Sequence, residues 1–237
     1  GIVSAEYFQD NRPVFFYYDN ATLTYCAFLG IDLEEKPGPN SVPVKITAQN
    51  GIVSRTTVEF IIRKKDFPAE HLTVPESQVT LNRLDNARYE REKMMVAAIL
   101  QKPSDLKLRN SDFLKPLQAD VDTPFGVRRF FNNKPKNPHS GVDFKAPEGT
   151  PVVASNHGRV VLTGNHFFSG NSVFIDHGSG IITMYFHLAS FAVAHGETIE
   201  KGQVVGHVGS TGRATGPHLH WGMRINNQRV DPMALLG

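Results

Sequence analysis

Four histidines and one aspartate in this 237-residue chain stand in three short runs. These are His139-Ser140-Gly141-Val142-Asp143, Tyr185-Phe186-His187-Leu188 and His218-Leu219-His220. A catalytic zinc takes three protein ligands from His, Asp, Glu or Cys and keeps a fourth position for water. That water ionises near neutral pH and becomes a nucleophile. The five side chains suffice for such a site, with two imidazoles left over for proton transfer. His139 and Asp143 lie four apart around a glycine, which a turn or bulged strand could bring to one point. His218 and His220 lie two apart, so on a strand both rings face the same side. One can then bind metal while the other stands about a substrate's width away. A single histidine near a strand end is ordinarily structural. Nine of the ten histidines, however, fall between His139 and His220, and clustered His and Asp at these spacings favour a metal site.

In this order, the HxGxD, YxHL and HLH fragments resemble the lysostaphin/LytM-type zinc metallopeptidases, peptidoglycan endopeptidases with a duplicated hybrid motif. The resemblance runs from about Pro124 to Gly237. It includes Thr123-Pro124-Phe125-Gly126-Val127-Arg128, Ala146-Pro147-Glu148-Gly149-Thr150-Pro151-Val152, and the run from Gly209 to Pro217 that leads into His218. It implies that His139, Asp143 and His220 ligate one Zn2+ per chain, and that His187 and His218 are catalytic without being ligands. It further implies zinc-dependent hydrolysis of peptide bonds in peptidoglycan stem peptides or cross-bridges, with peptidoglycan as the partner. Export to the periplasm or cell envelope follows from that substrate. The run His166-Phe167-Phe168-Ser169 stands where the family often has a shorter glycine-aromatic turn, so the groove is expected to differ there. The alternative is a non-catalytic LytM-type scaffold that activates a cell-wall amidase; such proteins lack the ligands, which are intact here. A peptidase acting on a protein such as elastin would use the same chemistry.

Other classes are disfavoured. The chain carries 25 Lys+Arg against 23 Asp+Glu, with no basic run to suggest nucleic acid. The sequence pI of about 8.7 fits an anionic partner such as a cell wall. No apolar stretch reaches the ~18 residues of a membrane span. There is no HExxH helix, P-loop or nucleophile elbow. The first residue is Gly1, which reads as a processed leader or a shortened chain. Cys26, in an apolar run, reads as a buried structural thiol.

The elements that must position the site read as mainly β. Residues 1–66 are expected to form an immunoglobulin-like β-sandwich, from the runs Val14–Tyr18, Leu23–Leu29, Val42–Thr47 and Thr56–Ile62 with turns between them. Lys36-Pro37-Gly38-Pro39-Asn40 reads as a strong turn, and Asn50-Gly51 as a hairpin. Residues 67–120 are expected to be a helical linker and connector. Its helix spans 82–101, with Asn82 and Asp85 at the start, an Arg88–Glu92 surface pair, and Leu84, Ala87, Met94 and Ala98 near one face. After Pro103 the chain reads as a polar connector draped on the surface. Residues 121–237 are expected to be the LytM-type peptidase, an antiparallel β-sheet/hybrid barrel of short strands and glycine turns. The N-terminal half is expected to restrain or direct the peptidase. Autoinhibition would place a polar residue such as Asn110, Asp112 or Asp120 over the metal.

Overall fold

A computed structural model of the chain describes residues 2–9, 12–19, 22–73, 81–102 and 112–237. Strands dominate, and the C-terminal half carries a ten-stranded sheet. Its main path runs Thr198–Ile199, Gly158–His166, Gly170–Asp176, Ile181–Phe191, His218–Ile225, Gly141–Lys145, Val121–Thr123. Off that path, Pro151–Val153 pairs with Val204–Val208, which also joins Ile181–Phe191, and Gln228–Val230 pairs with His218–Ile225. The central strands are buried almost continuously. That is why they read as apolar runs without clean alternation. Phe144, Tyr185, Leu219 and Trp221 lie fully inside.

The core also holds a polar chain. His177 contacts the His157 carbonyl and the Thr183 hydroxyl, each at 2.7 Å. Thr183 continues to the Tyr185 hydroxyl at 3.1 Å, which donates to Ser155 Oγ at 3.1 Å. Buried polar groups persist when they are partnered in this way.

The N-terminal unit is β, as expected. Ile2–Gln9, Arg12–Val14, Gly38–Ala48 and Val53–Ile62 form one four-stranded antiparallel sheet, and Tyr17–Asp19 with Thr24–Cys26 forms a separate ribbon. An immunoglobulin-type sandwich has seven strands in two facing sheets; the described residues of this unit supply six, four in one sheet and two in the ribbon. The hairpin at Asn50-Gly51 is present, closed by Gly51 N–H to the Ala48 carbonyl at 3.0 Å. The expected turn at 36–40 is not, because Gly38, Pro39 and Asn40 already pair with Ile62, Ile61 and Phe60. Cys26 is half-buried, not buried, and its thiol lies 3.5 Å from the Thr24 hydroxyl.

This unit is fastened to the sheet. Phe28, Leu33 and Phe67 pack against the main core. Arg229 donates to Asp32 and Glu34, and Asn226 donates to the Phe28 carbonyl at 2.8 Å.

The linker does more than connect. Ala69–Leu72 pairs in parallel with Arg128–Phe131 and so becomes part of the C-terminal structure. The helix runs Arg83–Leu100 and is capped by Asn82, whose side chain accepts from Leu84 and Asp85 N–H at 2.9 Å. The Arg88–Glu92 pair is present at 2.7 Å. The expected apolar face is not the packing face, since Leu84 and Met94 are exposed. Val96, Ile99 and Leu100 pack instead against Leu162, Phe174, Ile182 and Met184. Only the C-terminal half of the helix packs apolar side chains on the sheet, so periodicity over its full length does not mark the packing face. The connector likewise departs from expectation: Phe113 and Leu117 insert into the main core. Pro103 and Asn110 lie outside the described residues.

Burial pushes His177 down to about 4, against its hydrogen bond to the His157 carbonyl. The folded state thus binds this proton less readily than the unfolded chain does. The contribution to stability is complete above about pH 6.5 and is lost as pH falls through about 4. From pH 7 to 5 this one residue should cost about 2 kcal/mol of unfolding free energy. Urea unfolding of the wild type and of His177→Gln at both pH values measures it; the variant should show a shallower loss.

Candidate active site

The three sequence runs meet at one point. Strands Gly141–Lys145 and His218–Ile225 pair with Asp143 opposite His220, and His220 in turn lies opposite Phe186 of the next strand. His139 precedes the first of these strands and is pinned by its backbone. Its N–H donates to the Val127 carbonyl at 2.9 Å, and its carbonyl accepts from Gly126 N–H at 2.8 Å. The Thr123–Arg128 motif therefore acts by holding His139. Gly126 is at φ +86°, and a Cβ there would fall 2.1 Å from the Phe67 ring.

His139 Nε2, Asp143 Oδ1 and His220 Nδ1 form a triangle with edges of 2.8–2.9 Å. All three residues are buried. His139 Nδ1 lies 2.9 Å from the Pro124 carbonyl, which can only accept. In a neutral ring that donates there, His139 Nε2 is left as the lone-pair nitrogen, the form that ligates a metal. Converging acceptors in a dry site need a shared cation, and these residues can each give one ligand atom to a metal ion. Burial alone would raise the Asp143 carboxyl, but hydrogen bonds and charge from His139 and His220 outweigh it. They hold the group well below the usual carboxylate range. Burial is the main cause of a lowered His220, opposed by Asp143. The His220 ring stacks on Phe186 at 5.3 Å and 8°.

His187 and His218 stand beside this triangle, their rings 4.6 Å apart. His187 Nδ1 donates to the Thr211 carbonyl and His218 Nδ1 to the Gly216 carbonyl, each at 2.8 Å. Each ring thus keeps Nε2 for another partner. The Gly209–Pro217 run acts as the rail that orients both. His187 has φ +62°, a conformation costly for a residue with a Cβ. It falls where the strand pairing shifts register near Leu188, which explains how the ring leaves the sheet. Burial pushes His187 down to about 4, helped by the charge of His220 and opposed by the Thr211 carbonyl. That shift favours the neutral ring at pH 7.

All five residues line one open cleft of about 480 Å3. Four further charged residues line it that the sequence did not single out as site residues: Glu70, Asp122, Arg129 and Arg213. Arg129 Nη2 lies 3.3 Å from Asp143 Oδ2, and its Nε lies 3.5 Å from Glu70. Glu70 arrives on the strand Ala69–Leu72, so its placement depends on a parallel pairing that no local pattern announces. Phe168 and Ser169 of the unusual loop also line the cleft, whereas Asp112 and Asp120 do not.

Residues 137–232 match the model of peptidase family M23. Over 115 residues the chain is 44% identical to the DD-carboxypeptidase/endopeptidase Mpg of Neisseria meningitidis serogroup B, covering 48% of this chain and 26% of that protein. Over 96 residues it is 46% identical to the peptidoglycan DD-endopeptidase ShyA of Vibrio cholerae, covering 40% of this chain and 22% of that protein. The chain thus spans about a quarter of the length of these curated relatives. A crystal structure from Pseudomonas aeruginosa, assigned to peptidase M23, superposes with a TM-score of 0.74 at 35% identity, covering 98% of this chain and 88% of that one. A zinc-containing peptidase from Vibrio cholerae shares the fold, with a TM-score of 0.51 at 20% identity over 81% of this chain and 78% of that one.

Gly141 sets the tolerance of the centre. A Cβ at this position would meet the Trp221 carbonyl at 2.5 Å and His220 Nε2 at 2.7 Å. Gly141→Ala should displace the His220 ring, destabilise the fold by about 1–3 kcal/mol and lower metal content. Thermal melts and inductively coupled plasma mass spectrometry of the purified variant check both effects.

Proposed function

This chain belongs to peptidase family M23, and on that premise we propose that it is a zinc-dependent endopeptidase that hydrolyses peptide bonds in peptidoglycan stem peptides or cross-bridges. The observation that carries this reading is the buried two-imidazole, one-carboxylate triangle with two further oriented imidazoles in the same cleft. Two neutral imidazoles and one carboxylate suit a single Zn2+ with an open position. His139, Asp143 and His220 would hold it. When bound, zinc supplies Lewis acidity toward a scissile carbonyl and acidifies water.

The chain's own residues do the rest. His187, neutral and fixed through Nδ1 on Thr211, accepts a proton at Nε2 as general base. His218, fixed on Gly216, directs Nε2 at the same space. With both ring nitrogens protonated, it would donate there to the developing oxyanion or to the leaving amine. Phe186 covers one face of His220 and limits water around it. Arg129 bonds the outer oxygen of Asp143, fixing that carboxylate's orientation as supporting residues commonly do for metal ligands.

The substrate class rests on the relatives named as peptidoglycan endopeptidases. The cell envelope or periplasm is where such a substrate is found. An amidase-activating scaffold would not need an intact ligand triangle. The N-terminal half is proposed to direct the peptidase, since Glu70 and the helix Arg83–Leu100 both contribute to the cleft or its wall.

Alanine at His139, Asp143 or His220 should abolish zinc retention. Alanine at His187 or His218 should keep zinc and lower turnover by about 10²–10⁴-fold. Metal content and digestion of purified muropeptides, with mass analysis of the products, test these together. Zinc lost from His187→Ala as completely as from His220→Ala would break the division of roles. A zinc-replete wild type that leaves every muropeptide intact would overturn the function.

A further inference from the structure

We propose that Arg213, packed over the ring of Phe168 and backed by the charge of Arg129, is a carboxylate-binding subsite of the cleft, selecting peptide strands that bear a free carboxylate beside the bond cut. The inference rests on the peptidase reading above.

The Arg213 guanidinium carbon lies 4.2 Å from the centre of the Phe168 ring and 5.4 Å from that of Phe131. Arg213, Phe131 and Phe168 line the same cleft as His187, His218 and His220. The Arg213 backbone N–H donates to the Phe168 carbonyl at 2.9 Å, which locks residue and ring together. A guanidinium packed against an aromatic face keeps its planar edge of N–H donors free for a bidentate carboxylate. Among the described residues, no carboxylate pairs with Arg213. Desolvation lowers its hold on its proton, and the positive charge of Arg129 lowers it further. Two cations therefore share the cleft wall. Arg129 already has Asp143 and Glu70 within 3.3 and 3.5 Å, so the open fork belongs to Arg213. An anion arriving with the substrate would relieve the repulsion between the two cations.

The wall behind Arg213 is built for fixed geometry. Phe168 packs edge-on against Tyr89 at 4.9 Å and against Phe167 at 4.9 Å. Phe167 N–H donates to Glu92 at 2.7 Å, and Arg88 lies over the Phe167 ring at 5.8 Å. The helix Arg83–Leu100 thus clamps the loop that presents the aromatic platform. Glu92 is a positioning residue for this subsite.

The zinc-loaded chain of residues 1–237 is assayed on three matched cross-linked peptides: one with its terminal and side-chain carboxylates free, one amidated at the terminus, one amidated at the side chain. The wild type should prefer the free form over one of the amides by roughly tenfold to a hundredfold in kcat/KM, as a charge-assisted hydrogen bond implies. The preference should appear mainly in KM. Which amide suffers identifies the carboxylate recognised. Arg213→Gln should bring that ratio near one. Arg213→Lys, which keeps charge without the fork, should give a ratio between the two. Glu92→Ala should reduce the ratio while zinc content stays full. An equal ratio in wild type, Arg213→Gln and Arg213→Lys overturns the subsite but leaves the peptidase intact. Failure of the wild type to cut any of the three overturns both.

Discussion

Two adjacent buried strands, Gly141–Lys145 and His218–Ile225, set Asp143 opposite His220 and hold a carboxylate oxygen 2.8 Å from an imidazole nitrogen in a nearly dry site. A slip of one residue would turn both side chains to the other face. Register is therefore the constraint beneath the chemistry, and the surrounding packing enforces it. Leu219 and Trp221, the neighbours of His220, face into the core, and Phe144 beside Asp143 does the same. Alternation along the strand makes burial of one set equivalent to presentation of the other. The close approach at Gly141 then brings His220 within reach of His139 without steric conflict.

The site was legible to the extent that its chemistry is local. His139, Asp143, His187, His218 and His220 stand out by residue type and short spacing, and all five line one cleft. The flanking glycine-rich runs were visible as motifs, but their work was not. Val127, Thr211 and Gly216 act through backbone groups, which side-chain identity does not record. Arg129 and Glu70 were missed because their meeting needs a parallel pairing between segments about sixty residues apart. Arg213 was read only as part of a motif. Its guanidinium acquires its setting from Phe168, which sits in a loop flagged as unusual without any way to see where it points.

The fold class was legible from strand-forming runs and turns, and boundaries were less so. The 36–40 segment has the composition of a turn, yet long pairing with Val53–Ile62 overrides it. Local propensity is a weak prior against ten registered pairs. The helix shows the opposite error. Its periodicity suggests one long apolar face, but the sheet offers an apolar partner only to Val96, Ile99 and Leu100. The N-terminal half of the helix is instead tied by polar and aromatic contacts to the end of the strand Gly158–His166 and the loop after it, through Arg88, Tyr89 and Glu92. A helix face chosen by hydrophobicity alone could not reveal that, because its partners are Asn165, Phe167 and Phe168.

The same features that make the site reactive work against stability. His187 is held at positive φ, buried and neutral, and three acceptor-bearing groups crowd within 2.9 Å. Such strain persists only where the surroundings over-determine it. Here they do so from both halves of the chain. The C-terminal half supplies the dry core and the carbonyls of Thr211 and Gly216. The N-terminal half supplies the strand Ala69–Leu72 beside Arg129, the helix behind Phe168, and Phe67 packed over Gly126. Phe67, Gly126 and His139 form a direct mechanical path, since Gly126 N–H is bonded to the His139 carbonyl. The segment that precedes the C-terminal sheet thus packs against the backbone that holds His139 and against the wall of the cleft.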